Sequence, residues 1–137
     1  ARAKVLGSRP LIKNPTARFG CKFTMPVDVK KGTTTGVSAK DRVRTMRALS
    51  SPGARPSDFG KPGHVFPLIA DPQVLRGRVG HTEAAVALLR LARLPEVGVI
   101  AELINDDGTM MRGARLKKFA RQYHILTVKI AQIRKAV

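Results

Sequence analysis

The sequence predicts one layered domain mixing helices and strands, α/β or α+β, and three observations carry that expectation. Period-two alternation and short apolar runs mark strands, apolar residues three apart mark helices between them, and no nucleotide-type glycine fingerprint accompanies the alternation. With 137 residues the chain can bury roughly two thirds of the surface it exposes when unfolded, enough for one core. Aromatics are only 4% of the residues, so Val, Leu, Ile, Ala and Met must build that core.

Residues 1–21 contain Arg2, Lys4, Arg9, Lys13 and Arg18 and no acid, and they read as a basic extended arm ahead of a domain over residues 22–137. The first residue is Ala1, which fits a cleaved leader, an omitted segment or a fragment of a longer chain; Pro10, Pro15 and the lack of Ser-rich amphipathic character argue against a transit peptide. In KFTMPVDV, residues 22–29, Phe23, Met25, Val27 and Val29 share one face of a half-buried strand, with Pro26 suited to an edge or a bulge. KKGTTTG is a loop. Ser38 then caps a helix, Asp41 reaches back from its first turn, and Val43, Met46 and Leu49 form its inner side.

Residues 50–63 are dense in Pro, Gly and Ser and predict a surface loop. HVFPLIA, residues 64–70, reads as a short buried strand. Thr82 is placed to cap the helix EAAVALLRLARL, which stops before Pro95. VGVIAEL, residues 97–103, is an apolar run of strand length, and INDDGTM turns on Asp107-Gly108. A basic helix over 113–123, a last strand ILTVKI and a short terminal helix complete the chain.

Charge narrows the function classes. There are 26 Lys and Arg against 9 Asp and Glu, a formal net charge of +17, with the acids confined to Asp28–Asp107. Such a field suits a protein held against a polyanion, where each neutralised phosphate releases counterions. Arg2, Lys4, Arg9, Lys13, Arg18 and Lys22 at one end, and Arg112, Arg115, Lys117, Lys118 and Arg121 at the other, are the candidate nucleic-acid contacts. Tyr123 and the five Phe are scattered, so any RNA contact would be to the backbone rather than to bases. The plain alternative is a solvated basic surface. No apolar run approaches the ~20 residues of a spanning helix, so no membrane insertion is expected. The single cysteine, Cys21, forms no intramolecular disulfide, reads as structural, and suggests a reducing compartment, cytoplasm or the matrix of a mitochondrion or plastid.

Three local constellations could carry chemistry. RVGHTEAAV puts Arg78, Gly80, His81 and Thr82 at a helix N-terminus, where free N–H groups attract an anion, Arg78 could clamp phosphate and His81 could ligate metal or move protons. The alternative is an ordinary capped helix with a surface His. His64 follows Gly63 at a strand entry, a position that equally suits a satisfied loop residue. Glu102 ends the apolar run 97–103, as an acid/base candidate or a strand end reaching water. NDDGT has too few ligands for a calcium loop, and KKGTTTG lacks the Walker spacing.

In order, KFTMPVDVKKGTTTGVSAKDRVRT, SDFGKPGHVFPL, RVGHTEAAV and GVIAELINDDGTMMR resemble 3,4-dihydroxy-2-butanone-4-phosphate synthase of riboflavin biosynthesis, from about Leu11 to the end. The resemblance implies an α+β fold with a mixed sheet flanked by helices, amino-terminally truncated here, and homodimers with active sites between subunits. It implies a magnesium-dependent conversion of ribulose 5-phosphate into formate and 3,4-dihydroxy-2-butanone 4-phosphate. Carried over by motif, His81 binds the metal, Arg78, Gly80 and Thr82 hold substrate, Glu102 and His64 are catalytic, and Thr35 and Asp41 approach the site near the dimer contact. The family's acidic loop of the type RENEGD, which supplies the other magnesium ligand, has no counterpart here, since the first acid is Asp28. The chain alone is therefore expected not to bind magnesium and to be inactive. Two readings follow: an enzyme piece whose acidic segment is absent from these residues or supplied separately, or a non-catalytic RNA-binding component of a ribosome (organellar) or similar particle.

Overall fold

The computed structural model describes residues 2–16 and 19–137. In chain order the elements are α1 (Arg2–Val5), β1 (Val27–Val29), α2 (Ala39–Ser50), β2 (Phe59–Val65), α3 (His81–Leu91), α4 (Gly113–Gln122) and α5 (Ile130–Lys135), with 3-10 turns at Pro56–Asp58 and Val74–Arg76. The class is α+β, as expected. No helix among the described residues is long and apolar enough to cross a membrane.

β1 and β2 pair antiparallel, with Val27 opposite Val65, Asp28 opposite Gly60 and Val29 opposite Phe59, so the register jumps between Val27 and Asp28. That irregularity lies beside Pro26, which cannot donate to a ladder. Bridges Phe23 to Leu68 and Pro10 to Thr24 continue the pairing outside the strands. Val27, Val29, Phe59 and Leu6 form one core cluster, closed by Ala48 and Leu49 of α2. A second cluster joins Leu75, Ala84, Ala87 and Ile133, so α5 folds back on α3.

Several expectations change here. The basic segment ahead of residue 22 opens with a helical turn rather than an extended arm. Leu6 is buried, and the Arg2 guanidinium donates to the carbonyls of Leu49 (2.9 Å), Pro52 (3.3 Å) and Ser51, which ties α1 to the end of α2. β2 occupies residues expected as loop, because Gly63 lies against β1 where no side chain would fit; a Cβ there would overlap the backbone of Val27. Residues 66–70 stay extended, with Thr24 N–H donating to Pro67 (2.9 Å) and Ile69 N–H to Lys22 (3.0 Å).

The apolar runs 97–103 and 125–129 form no strand: Val99 is 65% exposed and Leu126 98%. A strand needs a neighbour for its N–H and C=O groups, and no described residue runs alongside either segment as a ladder. α3 is capped by the backbone of Gly80, with no side-chain cap bond, so Thr82 sits in the first turn instead of before it. Ser38 does cap α2, its Oγ accepting from Asp41 N–H at 3.1 Å.

Two buried polar contacts hold these elements in place. Thr45 Oγ1 of α2 accepts the N–H of Val29 (3.1 Å), fixing the helix to β1. Glu83 of α3, 1% exposed, pairs with Arg78 Nη1 at 2.6 Å while its other oxygen accepts Asp71 N–H at 3.0 Å. Thr45→Val keeps the shape but strands a buried donor, and should destabilise by about 1–3 kcal/mol, read as a lower urea midpoint at unchanged m-value. Glu83→Ala should destabilise by about 3 kcal/mol, the low end for removing one partner of a buried pair, because Arg78 is partly exposed and can rehydrate.

Candidate functional site

Asp41 is the anchor of the loop before α2. Its buried carboxylate accepts from Thr34 N–H (3.2 Å), Thr34 Oγ1 (2.8 Å) and Gly36 N–H (3.2 Å) rather than from the backbone of the cap. The Thr34 hydroxyl, then the loop amides and the Ser38 hydroxyl, outweigh desolvation and hold the Asp41 carboxyl below its ordinary range. Thr35 lies in the same loop, exposed.

The anchored loop meets β1 and β2 at Asp28 and His64. Asp28 Oδ1 accepts the backbone N–H of His64 at 2.9 Å, and Asp28 Oδ2 lies 2.6 Å from His64 Nδ1. Gly36, at φ +82°, covers the pair; a Cβ there would overlap the Asp28 carboxylate and stand 2.8 Å from His64 Nδ1. Asp28 was no candidate in the sequence, where it is one acid in an apolar strand. Its place on the face opposite Val27 and Val29 was the available signal.

A groove of about 630 Å³ opens between α2, residues 64–72, α3 and residues 96–100. His64 and Thr82 lie on its walls, together with Arg42 and Arg47 of α2 and Arg90 of α3. Its volume falls in the range of small-molecule sites, roughly 300–1,000 Å³, and its arginines outnumber the acids Asp71 and Glu96. Glu96 accepts from Arg90 Nε (2.7 Å) and Nη2 (3.0 Å), which lowers its pKa and raises that of Arg90.

Arg78 and Thr82 border a separate cleft of about 20 Å³, room for little more than one water. There the Arg78 guanidinium braces the wall. Besides Glu83 it donates to the Phe19 carbonyl from Nε (3.1 Å) and Nη2 (2.9 Å), and Nη2 stands 3.3 Å from Cys21 Sγ. Gly80 is small for a related reason: a Cβ would stand 2.5 Å from Arg78 Nη1 and 2.7 Å from Glu83 Oε2.

The remaining predicted residues lie apart. His81 opens α3 exposed, and Glu102 is exposed in the irregular run after residue 96; neither lines the groove. Among the described residues no three His, Cys, Asp or Glu side chains converge as metal ligands. The carboxylate nearest His81 in sequence, Glu83, is committed to Arg78 and Asp71. Magnesium asks for near-octahedral oxygen ligation, so these residues do not by themselves fit the ion.

Of the basic candidates, Lys4, Arg9, Lys13 and Lys22 are exposed, Arg2 is tied to α2, and Arg18 lies outside the described residues. Arg112, Arg115, Lys117, Lys118 and Arg121 form an exposed face on and before α4, where Arg115 reaches Asp107 at 3.5 Å. Behind it Phe119 stacks obliquely on Tyr123 at 4.6 Å.

A profile of the 3,4-dihydroxy-2-butanone 4-phosphate synthase family matches residues 1–136. The synthase of Klebsiella pneumoniae is 46% identical over 132 residues, which cover 96% of this chain and 61% of the relative. The crystal structure of the Candida albicans synthase superposes with a TM-score of 0.92 at 43% identity, covering 98% of this chain and 66% of that one. A synthase crystallised with two magnesium ions superposes at 0.85 with 35% identity, over 95% of this chain and 66% of that one. The chain thus spans about three fifths of the curated relative's length, and across nearly all of its own length it belongs to the 3,4-dihydroxy-2-butanone 4-phosphate synthase family.

Proposed function

We propose that this chain supplies the larger, metal-incomplete share of a 3,4-dihydroxy-2-butanone 4-phosphate synthase, converting ribulose 5-phosphate into that product and formate once an acidic segment joins it. The observation that carries the reading is His64, held by Asp28 on the wall of an arginine-lined groove within a chain matched to the family from end to end. The groove's arginines suit the phosphate, and the Thr82 hydroxyl, which also lines the groove, suits a sugar hydroxyl. His64 exchanges protons with the sugar, and Glu102 is the second acid/base group when its segment is covered. Arg78 and Gly80 shape the turn from which Thr82 and His81 emerge.

Magnesium, when bound, would supply stabilisation of negative charge, and by motif His81 would be the side chain that these described residues offer to it. A second reading rests on the acid-free basic face of α4 and the +17 charge, which suit an RNA backbone.

The purified chain, with ribulose 5-phosphate and magnesium, should release no formate until a polypeptide carrying the RENEGD-type loop is added. In that mixture His64→Ala and Glu102→Gln should each lower the rate by roughly 10²-fold or more. Absence of formate from the completed mixture, together with RNA binding that weakens steeply with salt, would replace the enzyme reading by the second. Asp41→Asn should be less stable than the parent at pH 7. A carboxyl whose folded pKa is depressed contributes fully above its unfolded value near 3.8, and the contribution fades as pH falls through the lower folded value. The gap between parent and variant in urea midpoint should therefore narrow below that pH.

A further inference from the structure

We infer that Asp28 is the positioning residue of His64: its carboxylate keeps the imidazole proton on Nδ1 and reserves Nε2 as the nitrogen that exchanges protons in the groove. An ionised carboxylate only accepts hydrogen bonds, so the 2.6 Å contact from Asp28 Oδ2 requires the proton on His64 Nδ1. The same carboxylate also accepts the His64 backbone N–H at 2.9 Å, so backbone and ring are gripped together. A surface ion pair held only for stability would contribute little, since the two side chains are 44% and 18% exposed. Here the surroundings fix the geometry further.

Three features converge on it. The register jump between Val27 and Asp28 re-aims the Asp28 side chain across β2 toward His64, as irregularities in a ladder do. Gly36 lays a bare Cα over the pair, where any Cβ would overlap the carboxylate. Asp41 in turn fixes Gly36 through its N–H and Thr34 through both N–H and hydroxyl. Asp41 thus holds a loop, the loop covers Asp28, and Asp28 orients His64.

The use made of Nε2 rests on the synthase reading, whereas the tautomer does not, and the experiment separates them. Long-range ¹H–¹⁵N correlation spectra of the ¹⁵N-labelled 137-residue chain, above the imidazole titration, should show His64 Nδ1 protonated and Nε2 bare. A proton found on Nε2 in the parent chain overturns the inference, with no variant needed. Asp28→Asn offers an amide N–H to Nδ1 and should move the proton to Nε2; an unchanged tautomer in the folded variant also overturns it. In the completed synthase mixture the same variant should lower kcat roughly tenfold or more with KM little changed, and Asp28→Glu should restore part of the loss. Formate production with the opposite tautomer sinks the role of Asp28 alone. The expected tautomer without formate sinks the synthase reading and leaves the positioning of His64 intact.

Discussion

Gly63 crosses β1 so closely that a Cβ would overlap the Val27 carbonyl carbon and the Asp28 nitrogen, and its own N–H donates to Pro26 at 3.0 Å. Everything on that side of the molecule depends on this bare crossing. It lets β2 follow β1 through the register jump, and it delivers His64, the next residue, to the carboxylate of Asp28. It also leaves Val27 and Val29 facing inward, where Leu6, Phe59 and α2 close over them and Thr45 takes the Val29 N–H. Any larger residue at 63 would push the strands apart and separate Asp28 from His64, the core cluster and the helix at once.

Acids in so basic a chain act as local tethers. Asp41, Asp58 and Asp71 each accept backbone N–H groups of nearby turns, and Asp28 does so for His64 across 36 residues. Glu83 and Glu96 bind Arg78 and Arg90 through well-aligned pairs. Asp28, Asp71 and Glu96 look incidental in the sequence, yet each holds a partner. With a net charge of +17 the chain repels itself, so carboxylates sit where two segments must meet, and the surplus of Lys and Arg is left on exposed faces such as that of α4.

The helices were legible because spacing and punctuation agreed. α2 has Ser38 before it, and α3 stops short of Pro95. Strands were less so. Runs such as 97–103 announce a wish to be buried, but only a neighbouring strand turns that into a ladder, and none of the described residues provides one. β2 was missed for the opposite reason: its Pro and Gly residues read as a loop, although close approach to β1 is what calls for Gly63. The site divides in the same way. His64 and Thr82 stood out in the sequence as a His at a strand entry and a Thr at a helix start, whereas Asp28 did not, since its partner is brought to it by an irregular register that no local pattern encodes.

The site is therefore unequal in its two parts. Around His64 the geometry is fixed before any ligand arrives, by Asp28, by the bare Cα of Gly36 and by the carboxylate of Asp41 behind it. Around Glu102 nothing comparable exists: the preceding residues include Val99 and Ile100, 65% and 42% exposed, and no described ladder holds them. Apolar side chains in that position gain free energy when covered, about 25 cal/mol per Å². Covering the run would therefore stabilise the protein and immobilise Glu102 in one step. On the proposed synthase reading, assembly and catalytic competence would be linked through that single segment, while the surroundings of His64 are fixed in advance.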